Sequence, residues 1–326
     1  MTIKVFFTGG GGAGTIEAVK ALKALGYAVV TADATASSAG FSFADRSYVI
    51  PFGIDPTFDD AFREIMRRES PDFVIPLVDE EMPKVHRICA AEYPAAKVIA
   101  PTLAFCELAM DKWEVSRTLA DKCLGVARTW LASDASAATY PAIVKPRAGR
   151  GSRGLAFLES PADLTTYLAA ASQPADRFIV QERLFGREFT TSVVVSLDDR
   201  LLSIVPKEAA EKRGITQVGI TRAVPAIDEL CRGIHAALAP RGPFNVQLIL
   251  GEDGVPKTIE INPRYATTMA LTLASGVNEV DLVLRAARGE PPGQTAFEPD
   301  LMMLRYTAQI YVKESDWAPI DLRTKR

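Results

Sequence analysis

The sequence predicts two textures in one chain: an α/β layer at the N-terminus, then α+β lobes built from short antiparallel strands. Three observations carry this expectation. Residues 3–33 read as strand, glycine loop, helix and strand; further apolar strand runs at 72–78 and 97–101 alternate with helical stretches; and from Tyr140 onward short β runs replace that alternation.

The first unit opens with the apolar run IKVFFT, passes through GGGGAGT and continues as TIEAVKALKALG, a helical period that Gly26 stops; YAVVTAD is the second strand. A helix over 58–69 precedes the strand DFVIPLV, and one over 82–91 precedes KVIAP, so 1–101 forms a small doubly wound layer. Residues 103–124 read as one helix and 133–139 as a polar connection. The strands then expected are PAIVKP, LAFLES, RFIVQER, EFTTSVVVS, RLLSIVP, FNVQLIL and KTIEINP, with one helix at 226–239 among them. The intervening KEAAEKRGITQVGITRAV is open between a solvated charged loop and an anion-recognising segment, and the basic end RTKR is expected to fray.

Composition bounds the function. The 326 residues are 48% hydrophobic and 24% charged, which disfavours disordered, collagen-like and coiled-coil chains, and a net charge of −3 disfavours a general nucleic-acid or anionic-membrane binder. Cys89, Cys106, Cys123 and Cys231 form no C-x-x-C pair, and His86 and His235 are the only histidines, so neither a zinc site nor a disulfide framework is expected. The start MTIKVFFTGG lacks the long apolar stretch of a secretory signal, and no run reaches the length that spans a bilayer; a cytoplasmic protein with reduced thiols is expected.

Gly9, Gly11 and Gly14 satisfy G-x-G-x-x-G between a strand and a helix, and Asp33 ends the next strand. That spacing fits a dinucleotide site, a phosphate- or substrate-contacting loop, or a structural turn. Lys145 projects from the strand PAIVKP four residues before the loop GRGSRG, where a cation beside glycine amides can grip a polyphosphate. The strongest segment is TIEINPRY. Strand alternation puts Glu260 and Asn262 on one face, a carboxylate and an amide oxygen suited to a hard cation, with Arg264 just beyond them. Gln247 in FNVQLIL lies on an expected neighbouring strand as a third oxygen donor.

In the order MDKW, IVKP, GRGSRG, VQERLFGREFT, FNVQLIL and EINPRY, over residues 1 to 290, the sequence resembles the ATP-grasp superfamily, and within it one half of the carbamoyl-phosphate synthetase large subunit. The resemblance implies an ATP-grasp fold with an N-terminal Rossmann-like pre-ATP-grasp domain at 1–101, an N-terminal and lid subdomain at 102–182, and a catalytic subdomain with a tail at 183–326. It implies ATP as cofactor, with one or two Mg2+ (Mn2+ also suits such donors). Lys112 and Lys145 would contact the phosphates, Gln181 would be a further ATP contact, and the backbone at Glu182 would meet the adenine. Glu188 would hold the ribose, and Gly149, Arg150, Gly151 and Ser152 would form a lid over the phosphates. Gln247, Glu260 and Asn262 would hold the metal, while Arg264 would stabilise the transferring phosphoryl group.

The activity this implies is ADP-forming ligation: a carboxylate is phosphorylated to an acylphosphate, and an amine displaces phosphate. Alternatives are a carbamoyl-phosphate-like synthetase or small-acid kinase, and an NAD(P)-dependent oxidoreductase built on the glycine loop. Candidate substrate contacts are Gly11, Glu80 and Glu81 on the N-terminal layer, Lys207, Arg213 and Arg222 in the charged segment, and Arg305 near the end. Small-molecule substrates are the expected partners, and dimerisation through the N-terminal layer is the family's expectation.

Overall fold

The computed structural model describes residues 2–149, 151 and 153–323. β1 (Lys4–Thr8) and β2 (Ala28–Asp33) run parallel, joined by α1 (Thr15–Ala24), because parallel neighbours require a crossover. β3 (Arg46–Val49), which the sequence reading passed over, extends the sheet beside β2. On the other side of β1, α2 (Phe58–Glu69), β4 (Phe73–Ile75), α3 (Met82–Glu92) and β5 (Lys97–Val98) complete the layer. Strand order reverses at β1, which opens a crevice at the strands' C-terminal ends. Phe6, Phe58 and Phe62 fill one face of this sheet, and Val5, Phe7 and Leu22 the other.

The single helix expected over 103–124 is two, α4 (Leu103–Met110) and α5 (Lys112–Asp121). Asp111 separates them: its extended backbone lets the carboxylate accept the Trp113 and Glu114 amides at 3.1 and 3.3 Å, capping α5. A small antiparallel sheet follows, made of β6 (Thr129–Leu131), β7 (Ala142–Pro146), β8 (Ala156–Leu158) and β9 (Phe178–Glu182). Behind it lies α6 (Pro161–Ala171), an unexpected helix whose start was nonetheless written in the sequence: Ser160 and Asp163 form a capping box around Pro161.

The large antiparallel sheet contains β10 (Arg187–Val195), β11 (Leu201–Arg213) and β12 (Ile215–Thr221), then, after α7 (Pro225–Leu238), β13 (Phe244–Leu250) and β14 (Pro256–Asn262). The charged segment is therefore not the solvated loop that was one expectation. It is the β11–β12 hairpin, turning at Gly214 with φ +73°. α8 (Met269–Ala274) and α9 (Glu279–Ala287) wedge between this sheet and the first, so Val194, Val205 and Val283 share one core with Val5 and Phe7. That shared core fixes the two sheets' relative placement and hence the cleft between them. α4, α5 and α7 cover the opposite face of the large sheet. β15 (Met302–Leu304) adds to β12, and β16 (Ile320–Asp321) returns to pair with β3 in the first sheet. Arg323 then pairs with Asp321, and the rest of the expected frayed tail, 324–326, lies outside the described residues. No helix among the described residues is long and apolar enough to cross a membrane.

Candidate active site

The small sheet and the large sheet enclose a cleft of about 410 Å³. Antiparallel pairing of β13 and β14 sets Gln247 opposite Glu260 and Asn245 opposite Asn262. Lys112, in the first turn of α5, donates to the Gly149 carbonyl at 2.5 Å and stands 4.0 Å from Glu260. Lys145 leaves β7 for the Gln181 side-chain oxygen at 3.0 Å and the Ile259 carbonyl at 3.2 Å. Burial pushes its ammonium down to about 8, with Glu260 pulling the other way. Ile143, Leu184, Ile249 and Ile259 supply apolar walls, and Gly149, Gly151 and Arg153 supply the cover. Arg150 and Ser152, expected in that cover, lie outside the described residues.

Glu188 lines this cleft at the start of β10 and accepts a hydrogen bond from Lys212 of the hairpin at 2.5 Å. Glu182 also lines this cleft. Its carboxylate is gripped by Arg128 at 3.0 Å and Lys257 at 3.2 Å, and its own amide donates to the Arg128 carbonyl at 2.8 Å. Burial raises the carboxyl's pKa, but these donors outweigh it and hold Glu182 below the usual range.

Gln247, Glu260 and Asn262 converge on an adjoining recess of about 120 Å³. One carboxylate and two amides offer hard oxygen donors. Mg2+ takes one or two carboxylates and leaves its other positions to phosphate and water, so the donor set fits that ion, and Mn2+ by the same chemistry. Among the described residues no group of three or more His, Cys, Asp or Glu side chains gathers as a competing metal site.

Beyond Asn262 the chain turns through residues 263–268. Arg264 there donates to Asp79 of the first sheet at 2.5 and 3.4 Å, and to the Asn262 side-chain oxygen at 3.3 Å. Burial works against its charge, but Asp79 more than compensates and keeps the guanidinium's pKa raised. Arg264 lines both the metal recess and a second cleft of about 550 Å³ at the crevice of the first sheet. This second cleft is walled by Gly9, Gly12 and Gly14, by Asp33, Glu80 and Glu81, and by Phe52 and Ile54; Arg153 stands over it and over the first cleft alike.

Gly14 shows why the glycine loop is built as it is. A Cβ there would fall 2.8 Å from Met269 and 3.0 Å from the Thr267 carbonyl, so only glycine lets the loop dock on the Arg264 turn. Gly11 faces away from this cleft's lining, its amide donating to Asp33 at 2.7 Å. Arg305 donates to the carbonyls of Thr216, Ala13 and Thr267 at 3.0, 3.3 and 3.2 Å, tying hairpin, glycine loop and turn together.

Besides Gly11 and Arg305, three further candidate substrate contacts line neither cleft. Lys207 is fully enclosed, donating to Ser192 and Thr272 at 2.6 Å each; burial pushes it down to about 8, and Glu279 faces it. Arg222 pairs with Glu208 at 2.9 Å and Asp300 at 2.6 Å, and Arg213 is exposed at the hairpin's end. Two register shifts between Ala209 and Lys212 change which side chains face the cleft, and Lys212 is the one delivered. Arg153, Phe52 and Ile54 were not singled out from sequence. Arg153 stood inside the quoted lid motif, whereas nothing local marks the other two. Cys89, Cys106 and Cys231 are buried and Cys123 is exposed. His86 sits against Cys106 and His235 against Asp199, away from both clefts.

Residues 175–309 match the family described as ATP-grasp in the biosynthetic pathway with Ter operon. The chain is 30% identical over 296 residues to a formate-dependent phosphoribosylglycinamide formyltransferase of Synechococcus sp. (strain RCC307), covering 84% of this chain and 73% of the relative. It is 26% identical over 333 residues to the enzyme of the same name from Methylococcus capsulatus, covering 93% and 80%. Among solved structures, carboxyaminoimidazole ribonucleotide synthase of Aspergillus clavatus complexed with ATP superposes with TM-score 0.75 at 19% identity, over 92% of this chain and 80% of that one. The biotin carboxylase domain of Hydrogenobacter thermophilus 2-oxoglutarate carboxylase, complexed with MgADP and bicarbonate, superposes with TM-score 0.74 at 17% identity, over 93% and 74%.

Proposed function

This chain belongs to the ATP-grasp family of ligases, and from that premise we propose that it is a carboxylate–amine ligase, forming an amide through an acylphosphate with release of ADP and phosphate. The observation that carries the proposal is the meeting of Lys112, Lys145 and Glu260 on the floor of one cleft, with Asn262 and Arg264 leading from it into the next. Cations for a polyphosphate, oxygens for a hard metal and a guanidinium at the junction are the parts phosphoryl transfer to a carboxylate needs.

ATP lies between the small and large sheets, its base against Ile143, Leu184, Ile249 and Ile259 and its ribose near Glu188. Lys112 and Lys145 hold the phosphates, and Gly149, Gly151 and Arg153 cover them. Gln247, Glu260 and Asn262 would hold Mg2+, which would supply positive charge to offset the charge that develops on the phosphates. Arg264, kept charged and aimed by Asp79, steadies the phosphoryl group as the donor carboxylate attacks. Closure over this junction keeps water from the acylphosphate until the amine arrives. No side chain acts as a covalent nucleophile.

In the same reading the chain divides into 1–101, which binds acceptor substrate, and 102–182 and 183–326, which hold ATP between them, with β16 crossing back onto the first unit. A homodimer through the N-terminal layer belongs to it as well and is checked by light scattering. The test is to supply Mg2+, ATP and pools of carboxylates and amines, measuring ADP, AMP and phosphate while mass spectrometry looks for acid plus amine minus water. ADP, phosphate and that mass support the ligase. A phosphorylated acid as sole product supports the kinase alternative, and reduced or oxidised nicotinamide supports the oxidoreductase.

A further inference from the structure

Three lysines, not two, reach the ATP cleft beside Glu260. Lys112 comes from the start of α5 and Lys145 from β7, whereas Lys212 comes from β11, two residues before the hairpin turns at Gly214. Lys212 lines the ATP cleft and the metal recess alike, as Glu260 and Gln247 do. Lys145 feels Glu260, Lys112, Lys212 and Glu188 as neighbouring charges, so these five groups stand round one space.

Both ends of Lys212 are held. Its backbone lies opposite Thr216 in the hairpin, and Arg305 grips the Thr216 carbonyl at 3.0 Å, which pins the hairpin against the turn after β14. Its ammonium donates to Oε1 of Glu188 at 2.5 Å, while Oε2 of that carboxylate carries no hydrogen bond among the described residues. The two side chains are 31% and 27% exposed, and an ion pair so open to water contributes little to stability. What the pair does is place a cation. An ammonium has three hydrogens, and one spent on Glu188 leaves two directed elsewhere in the junction of cleft and recess.

Resting on the ATP site of the ligase reading, we infer that Lys212 is a further catalytic residue: its ammonium, aimed by Glu188, binds the terminal phosphates of ATP, while the second oxygen of Glu188 takes a ribose hydroxyl. One carboxylate thereby ties the sugar to the phosphate clamp. As an oxygen of the donor carboxylate bonds to the γ-phosphorus, the bond from that phosphorus to the bridging oxygen breaks and its electron pair leaves on ADP. Lys212 donates hydrogen bonds to the oxygens on which charge grows and gives up no proton.

The full-length protein, with Mg2+, is titrated calorimetrically with β,γ-methylene ATP and with AMP, and ADP release is followed with Mg-ATP, pooled carboxylates and hydroxylamine as the acyl trap. Lys212→Met should weaken the ATP analogue about tenfold, the worth of a charge-assisted hydrogen bond, and lower kcat by about 10²-fold. AMP, which lacks the terminal phosphates, should bind as it does to the wild type, and that also reports an intact cleft. Lys212→Arg keeps the charge and should recover most of the lost affinity. Glu188→Gln should weaken AMP and lower kcat, yet added to Lys212→Met it should reduce kcat little further, because the carboxylate reaches the phosphates through the lysine. Unchanged analogue affinity and kcat in Lys212→Met, equal weakening of AMP and the analogue, or kcat losses that multiply in full in the double variant overturn the inference and leave the ligase reading standing. A wild type that binds no ATP analogue and releases no ADP overturns that reading and the inference with it.

Discussion

Arg264 and Asp79, 185 positions apart in the chain, meet at 2.5 Å and join the end of β14 to the crevice of the first sheet. Each side chain is about one-seventh exposed, at 15% and 14%, so the pair sits largely out of water and its loss is felt. Arg264→Ala should lower kcat by about 10²- to 10³-fold, the range for removing a group that steadies transition-state charge. Asp79→Asn leaves the guanidinium in place but less firmly aimed, and should cost about tenfold in kcat with ATP affinity unchanged. Steady-state kinetics with calorimetric ATP binding separates the two.

Glu260 is the one carboxylate among the proposed metal donors, so its charge should set the Mg2+ requirement. Glu260→Gln keeps the shape and removes the charge. It should shift the Mg2+ concentration for half-maximal ADP release upward by about tenfold or more, with a loss of turnover that saturating Mg2+ restores only in part. A Mg2+ titration of ADP release reads both effects.

Arg305 touches neither substrate in this account and acts through the three carbonyls it binds. Hydrogen bonds from a charged donor contribute about 1.5–3 kcal/mol. Arg305→Ala should therefore loosen the glycine loop and raise the acceptor KM roughly tenfold, more than it raises the ATP KM. Arg305→Lys, without the planar fork, should recover little of it. An equal rise in both KM values would mean that the guanidinium holds the whole cleft rather than its acceptor side.

Lys207 and Glu279 face one another in the interior, the lysine held down to about 8 from 10.5 and the glutamate raised above its ordinary 4.5, each mainly by burial. Between about pH 8 and 10.5 the unfolded chain binds the lysine proton more fully than the folded one, so this group's contribution makes stability rise with pH there. Below pH 8 both states carry that proton and the cost of burying it is present in full. For Glu279 the sign is opposite: above pH 4.5 the unfolded carboxyl ionises first, and stability falls as pH rises towards its folded pKa. Thermal melts of wild type against Lys207→Met with Glu279→Gln should show the wild type gaining relative stability from pH 8 to 10. A constant difference across that range contradicts the assignment. Lys207→Met alone should be less stable than the double variant, because it leaves a carboxyl buried without its cation.

Local patterns made the chemistry readable and long-range contacts hid its arrangement. TIEINPRY and FNVQLIL state a strand pair by alternation alone, and the pairing of Gln247 with Glu260 follows from their being neighbours in sequence and in the sheet. The β11–β12 hairpin escaped because charges on the residues flanking its turn blurred the period-2 pattern, and because a bulge changes which face a side chain takes, something no window of sequence reports. Lys207 and Lys212, an odd five apart on one strand, lie on opposite faces as plain alternation requires, one into the core and one into the cleft. The helix break at Asp111 was legible as an Asp before a helical run, yet was overridden by the apolar period on both sides of it. Asp79 with Arg264, Asp33 with Gly11, and β16 with β3 depend on how separate segments are packed, and composition and spacing hold no record of that.

The central claim is that a carboxylate is activated by taking phosphate, not adenylate, at the Lys112, Lys145 and Glu260 cleft. The most direct measurement supplies the donor carboxylate labelled with 18O in both oxygens, with Mg-ATP and the amine, and follows the label by mass spectrometry. The acylphosphate route predicts one 18O in the inorganic phosphate and none in AMP, with the transfer lost in Glu260→Gln at low Mg2+. Label in AMP, or amide formed with no label in phosphate, contradicts it.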